Sequence, residues 1–165
     1  MIRCLTSLCL VVACTITSTP DLPKTPNFTM FVEPETVRAR LNAQQRIQLD
    51  FLVRILNDGP GKLFVPLCGH EIHRSQPNGS WQLVYVPPCP TGFVPPFAVA
   101  AGEGFGYVVR ITSPIDSGPW RPGSIAGRYR AFSYISAEFR SGGAWGRPIE
   151  TARRFVEFPV REQIP

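Results

Sequence analysis

Apolar and polar side chains alternate along residues 46–55, which makes this stretch the clearest structural signal in the chain. Its apolar members occupy every second position: Ile47, Leu49, Phe51, Val53 and Ile55. A period of two is that of a β-strand with one buried face, because successive side chains point to opposite sides. We therefore predict a half-buried central strand here. Burial of each apolar side chain would contribute about 1.5–3 kcal/mol before the entropy cost of ordering the chain.

Shorter apolar runs, separated by Gly, Pro and Asn, predict further strands. They cover residues 28–32, 62–67, 70–74, 81–86, 105–111, 128–135 and 154–160. The segments 70–74 and 81–86 would form a hairpin, since the Asn78-Gly79 pair between them is a strong turn signal. Residues 36–45 fit either a helical turn or a short strand, and their alternating apolar side chains favour the strand.

This pattern of about seven to eight short strands predicts an all-β fold, namely an antiparallel β-sandwich of immunoglobulin-like topology. The 18 Pro and 14 Gly residues agree, because they favour turns over long helices. The chain of 165 residues is long enough for one such domain, which we assign to residues 28–165. Residues 14–27 are rich in Thr, Ser and Pro and lack an apolar period, so we predict a flexible tether there.

Two long loops rich in Gly, Pro and Ser, at residues 112–126 and 136–151, carry Trp120 and Trp145. Loops of this length are often functional, so an exposed indole at either tip is a candidate ligand contact. Alternatively, each indole folds back and covers one end of the core. We name Trp120 and Trp145 as candidate binding residues and leave both possibilities open.

Residues 1–13 contain one positive residue followed by an apolar run that is too short to cross a bilayer, which is typical of a cleaved signal peptide. The run ends at Val11-Val12-Ala13-Cys14, which resembles the lipobox of bacterial lipoproteins. That resemblance implies that Cys14 becomes the acylated, palmitate-bearing first residue and anchors the protein to a membrane of the bacterial cell envelope. The alternatives are an ordinary signal peptide cut nearby and an apolar N-terminal strand.

The other cysteines then form an even pair. Of the five cysteines, Cys4 and Cys9 leave with the signal and Cys14 is acylated. Cys68 and Cys89 remain, and an exported protein resides in an oxidising compartment. We therefore predict one disulfide between them, which would clamp the predicted hairpin.

Several turn and strand motifs resemble known families. Gly127-Arg128-Tyr129 resembles the Gly-x-Tyr that precedes the penultimate strand of many immunoglobulin-like domains, where the tyrosine hydroxyl ties down a corner. Three further motifs add to this resemblance: Phe51-x-Val53-x-x-x-Asn57, the Asn78-Gly79 hairpin with Trp81, and Gly102-Glu103. Together these motifs are similar to the bacterial intracellular proteinase inhibitor family over residues 46–135. The resemblance implies an immunoglobulin-like fold and raises inhibition of a protease as a function. The predicted disulfide and export signal depart from that family.

His70 and His73 are the residues that suggest a metal site. Two ligands on one strand must be two positions apart to share a face, whereas these histidines are three apart and would point to opposite sides. Zinc hydrolases use His-Glu-x-x-His on a helix, a spacing that this segment lacks. We therefore predict no metal and no cofactor, and interpret both histidines as solvent-facing residues of a strand.

The charge distribution and the lack of catalytic motifs argue against two classes of function, nucleic-acid binding and catalysis. The net charge is +5, but the arginines are interspersed with glutamates and no recognition motif accompanies them, so we predict no nucleic-acid binding. The chain lacks a Gly-x-Ser-x-Gly elbow, a phosphate loop and a dinucleotide-binding Gly motif, and we predict that it is not an enzyme.

The hypothesis that follows is a non-enzymatic, lipid-anchored envelope protein. Its immunoglobulin-like domain would serve as a structural or protein-binding module with a protein partner that the sequence does not identify. One alternative is a protease inhibitor that acts through an exposed loop such as residues 112–126. Another is a metal-dependent enzyme centred on His70.

Overall fold

Ten β-strands make up the regular structure of the residues that the computed structural model describes, which are 26–89, 94–115, 117–137 and 151–164. They are β1 (Phe28–Glu33), β2 (Val37–Leu41), β3 (Ile47–Asn57), β4 (Leu63–Val65), β5 (Glu71–Ser75), β6 (Trp81–Tyr85), β7 (Phe97–Val99), β8 (Gly104–Ser113), β9 (Gly127–Ser136) and β10 (Thr151–Glu162). The prediction of an all-β fold is confirmed. In this part of the chain no helix is long and apolar enough to span a membrane.

The strands form one hydrogen-bonded set in the order β1-β3-β2-β10-β9-β4-β7. Strand β8 pairs with β3, β5 pairs with β9, and β6 pairs with β5. The prediction of a purely antiparallel arrangement is wrong, because β10 pairs with β2 in parallel, with Val160 opposite Val37. The direction of β10 is fixed by ten antiparallel residue pairs with β9, and β2 meets its other edge running the same way.

The count of seven to eight strands is also too low. Strand β7, Phe97–Val99, was not expected, because three residues cannot display a period. It forms by pairing with β4 across Leu63–Val65. Residues 36–45 contain a strand rather than a helical turn, as the favoured alternative predicted.

Strand β3 lies at the centre of the sheet that it forms with β1, β2 and β8. All ten residues of β8 pair with it, and β1 and β2 share its other edge. The predicted inward face is confirmed, since its five alternating apolar side chains are at most 4% exposed: Ile47, Leu49, Phe51, Val53 and Ile55. Phe51 packs on Phe158 of β10 with 4.9 Å between ring centroids, so the core forms between β3 and the sheet that contains β10.

The predicted disulfide between Cys68 and Cys89 is present, with Cα atoms 5.4 Å apart. Cys68 lies before β5 and Cys89 after β6, so the bridge closes the hairpin at its open end. It links residues 21 positions apart, and closure of a loop of this length stabilises a fold by about 3 kcal/mol through the unfolded chain.

Asn57, at the end of β3, is buried and holds two turns and the end of β7 together. Its side-chain amide donates hydrogen bonds to the carbonyls of Gly61 (2.7 Å) and Val99 (3.0 Å), and its Oδ1 accepts one from the Gly59 N–H (3.0 Å). Its backbone carbonyl accepts a bond from Gly102 N–H at 2.9 Å. These bonds fix the β3–β4 turn against β7 and the turn before β8.

We expect Asn57→Ala to lower the free energy of unfolding by about 2–4 kcal/mol, because it removes three hydrogen bonds, including the one to the buried carbonyl of Val99. Asn78→Ala is the matched control. Asn78 also bonds a turn, through Ser80, but it is exposed, so a loss below about 1 kcal/mol is expected. Urea unfolding of both variants measures the difference, and equal losses would contradict the anchoring role.

Candidate functional site

His70 is a core residue. It precedes β5, is 3% exposed, and its Nδ1 lies 3.1 Å from Ser133 Oγ. The hydroxyl of Tyr107 lies 3.0 Å from the same Oγ, and the rings of His70 and Tyr107 stack with centroids 3.9 Å apart. The expectation of a solvent-facing His70 is therefore wrong, because non-local contacts with β8 and β9 bury it.

His73 occupies the other face of the sheet, as the spacing of the two histidines predicted. Its ring packs edge-on against Phe132, the residue before Ser133 on β9, and its Nε2 lies 2.8 Å from Glu71 Oε2. Its side chain is 12% exposed, so it is not solvent-facing either. Within the described ranges, no three His, Cys, Asp or Glu side chains are placed to hold one metal ion.

The predicted ligand contacts have different outcomes. Trp120 is 5% exposed and belongs to the core, so it packs as the alternative interpretation proposed and has little surface to offer a ligand. Trp145 and Cys14 lie outside the described residues. Close to Trp120, Glu162 holds the loop by accepting hydrogen bonds from the N–H groups of Gly123 (2.6 Å) and Ile125 (3.3 Å).

A different surface, on the outer face of strands β6, β5, β9 and β10, gathers arginine and aromatic side chains. We call it the arginine–aromatic face and define it by Trp81, Leu83, Glu71, His73, Arg130, Phe132, Tyr134, Arg153 and Phe155. Strand register brings them together: Leu83 is opposite His73, His73 opposite Arg130, Phe132 opposite Phe155, and Tyr134 opposite Arg153.

Rings and guanidinium groups alternate across this face. The guanidinium carbon of Arg130 lies 4.2 Å from the Trp81 ring centroid and 4.5 Å from that of Phe132. On the other side of Phe132, the guanidinium carbon of Arg153 lies 4.1 Å away, and 5.6 Å from the ring of Tyr134. Each guanidinium carbon thus lies within about 6 Å of more than one ring centroid, the range in which cation–π attraction acts.

The two arginines differ in their charge partners. Glu71 accepts a hydrogen bond from Arg153 at 2.8 Å, and the hydrogen bond from His73, together with Arg153, lowers the pKa of Glu71. Among the described residues, Arg130 has no carboxylate within ion-pair distance: its Nε is buried without a hydrogen-bond partner, and Glu157, opposite it on β10, bonds Arg128 instead. Burial and the nearby Arg153 lower the pKa of Arg130, against the opposing effect of Glu157, and the guanidinium stays charged at neutral pH.

Exposed apolar side chains lie on the same face as Arg130. Phe155 is 50% exposed and packs on Phe132 with centroids 5.4 Å apart, while Leu83 is 49% exposed. Trp, Tyr, Phe and Arg are enriched in protein interfaces, where a few such residues carry most of the binding energy. The composition of this face is therefore typical of a binding surface.

Sequence reasoning missed this face, although part of its signal is local. From residue 128 to 135 the side chains alternate, and the outward set contains Arg128, Arg130, Phe132 and Tyr134. This period of two predicts a face of arginine and aromatic residues on one strand. Its partners Trp81 and Arg153 come from other strands, and only the register of the sheet identifies them.

No protein-family model matches the chain, and no curated protein sequence matches it. Among solved structures, it is similar to a structural genomics target at 12% identity, covering 76% of this chain and 84% of that one, with a TM-score of 0.43. It is also similar to the putative ApaA protein from Bordetella pertussis at 18% identity, covering 82% and 96%, with a TM-score of 0.42. A third is the DNA glycosylase AlkC from Pseudomonas fluorescens at 15% identity, covering 83% of this chain but 31% of that one, with a TM-score of 0.36. Likenesses at this level carry no functional argument.

Burial lowers the pKa of His70 from 6.5 to about 4, against the opposing effect of hydrogen bonds to the backbone of Pro66 and Phe132. Between these two values the unfolded chain binds a proton that the folded protein excludes, so stability falls as the pH falls. We expect a loss of about 3 kcal/mol from this group between pH 6.5 and pH 4.

Urea unfolding as a function of pH measures this loss. His70→Gln should flatten the profile in that window, whereas the control His73→Gln should retain the slope that His70 causes. Equal slopes in the wild type and His70→Gln would contradict the assignment.

Proposed function

We propose that this protein is a non-enzymatic, lipid-anchored component of the bacterial cell envelope. Its domain has an immunoglobulin-like fold and binds another protein through the arginine–aromatic face. The observation that carries the binding proposal is the charged Arg130, which has no carboxylate within ion-pair distance in the described part of the chain and lies beside the exposed ring of Phe155.

One hydrogen bond supports the immunoglobulin-like topology. The hydroxyl of Tyr129, at the start of the penultimate strand β9, donates to the carbonyl of Ile125 at 2.7 Å. Tyr129 is fully buried, and burial raises its pKa to about 12, so the hydroxyl remains a donor at any ordinary pH. A buried tyrosine that bonds the backbone a few residues upstream, near the start of this strand, is a feature of immunoglobulin-like sandwiches.

The binding proposal rests on a free-energy argument: the exposed apolar side chains of this face are unfavourable in water. A partner that covers Phe155 and Leu83 removes apolar area from solvent, which is favourable in proportion to that area. A carboxylate or carbonyl of the same partner can accept hydrogen bonds from Arg130, whose guanidinium already contacts the rings of Trp81 and Phe132. A fixed donor loses little entropy on binding, so this position suits an interface anchor.

The lipid anchor rests on Cys14 and on the length of the segment behind it. Residues 14–27 contain 14 positions, and an extended chain of that length spans at most about 45 Å. A domain that starts at Phe28 would therefore be able to stand clear of the lipid head groups and present its binding face to a partner.

Site-specific photo-crosslinking tests the binding face. A photoreactive phenylalanine analogue at position 155, in the full chain exported in bacteria, should yield a covalent adduct with another protein. The same analogue at Lys62, an exposed turn residue away from the face, should not. Adding Arg130→Ala should reduce the adduct at position 155 at least about tenfold, because an anchoring arginine contributes the corresponding binding energy. Equal adducts at both positions, or none at position 155, would refute the proposal.

Metabolic labelling with an alkyne-bearing palmitate tests the anchor independently. The wild-type chain should be labelled and should sediment with membranes. Cys14→Ser should lose the label and move to the soluble fraction. Cys9→Ser, within the predicted signal peptide, should behave as the wild type does. A Cys14→Ser chain that is still labelled would exclude acylation at this residue.

A further inference from the structure

Strand β8 has a free edge within the part of the chain that the structure describes. All ten of its residues, Gly104–Ser113, pair with β3 on one side, and no described strand pairs with the other side. Half of the backbone N–H and C=O groups of such an edge have no partner in the sheet. This row of donors and acceptors can pair with another strand.

The usual protections of an exposed edge are weak here. Strand β8 contains no Pro and no Lys, and its one charged residue, Arg110, is held by Asp50 with 2.7 Å between Nε and Oδ1. Proteins commonly protect an edge with Lys, Pro or inward-pointing charges. Arg110 is thus the one charged residue of this strand, and Asp50, which Arg40 also contacts at 3.3 Å, offsets part of its charge.

The outward side chains of β8 favour close approach. Gly104 and Gly106 offer no side chain, and glycine within a strand often marks a place where another backbone approaches. Between them and Arg110 lies Val108, which is 69% exposed, the most exposed large apolar side chain among the described residues. Leu52 lies opposite Val108 on β3 and leans over Gly106, so the apolar surface continues away from the edge.

We propose that β8 pairs in antiparallel fashion with β8 of a second copy of this chain, about a two-fold axis at Val108. In this register Val108 faces Val108, and Gly106 of each copy faces Arg110 of the other. Each Arg110 thus lies over a residue without a side chain and keeps its bond to Asp50. Moving the axis to Arg110 would place two arginines directly opposite each other, which is unfavourable.

A second copy fits this edge better than an unrelated peptide. The interface is isologous, so the same strand supplies both halves and needs no charge complement from outside. The register is self-complementary, because Arg110 of each copy lies over Gly106 of the other and no second arginine faces it. The inference does not depend on the proposed function, because β8 is not one of the strands that form the arginine–aromatic face.

Paired charge variants test both the dimer and its register. The full chain is purified as wild type, Val108→Lys and Val108→Glu, and its mass is measured by light scattering after size-exclusion chromatography. We expect the wild type to be a dimer and each variant to be a monomer, with a Kd raised at least about tenfold, because like charges meet at the axis and the valine contact is lost. A mixture of the two variants should dimerise again, since Lys then faces Glu.

A control variant and a folding check accompany this test. Leu83→Lys, an exposed apolar residue on β6, is the control and should leave the dimer unchanged. Circular dichroism checks that the variants fold, which the exposure of Val108 favours. A monomeric wild type, or variants that stay dimeric, would overturn the interface. Monomeric variants that do not recover in the mixture would overturn the pairing of Val108 with Val108.

Discussion

The pairing of β3 with strands on both of its edges is the constraint on which the rest of the structure depends. A strand with two partners can bury its backbone polar groups, and β3 does so while five of its side chains enter the core. Asn57 ends the strand by capping the next turn with its own side chain. Phe158 of β10 packs on Phe51 of β3, and Trp120 belongs to the same core cluster.

Strand β9 contributes to both the core and the surface, because its side chains alternate between the two sides of the sheet. Its inward residues Tyr129, Ala131, Ser133 and Ile135 are all fully buried and form one wall of the core. Its outward residues Arg130, Phe132 and Tyr134 carry the arginine–aromatic face. Because both sets belong to one strand, the positions of the outward side chains depend on the same strand pairing that forms the core. Side chains that are held in place before binding lose less entropy when a partner docks.

The features of this fold that the sequence predicts depend on residues close together in the chain. The features that it does not predict depend on residues far apart in the chain. The period of residues 47–55, the Asn78-Gly79 turn and the pairing of the two remaining cysteines are visible locally. Strand β7 is too short to show a period and exists because β4 offers it an edge. His70 is buried by Ser133, 63 positions away, and Arg153 is held by Glu71, 82 positions away. Contacts of this kind depend on strand order and register, which a single sequence does not display.

The edge of β8 and the arginine–aromatic face lie on different strands, so a partner at one would not occupy the strands of the other. A β8 pair joins two domains edge to edge and leaves the outer faces of β6, β5, β9 and β10 uncovered in both copies. A dimer would therefore present two arginine–aromatic faces at a fixed spacing, and binding at one would raise the effective concentration at the other. Anchoring at Cys14 would act in the same direction, because confinement to a membrane surface brings weakly associating edges together. Modest contacts at each surface can then yield strong attachment to a partner that carries repeated sites.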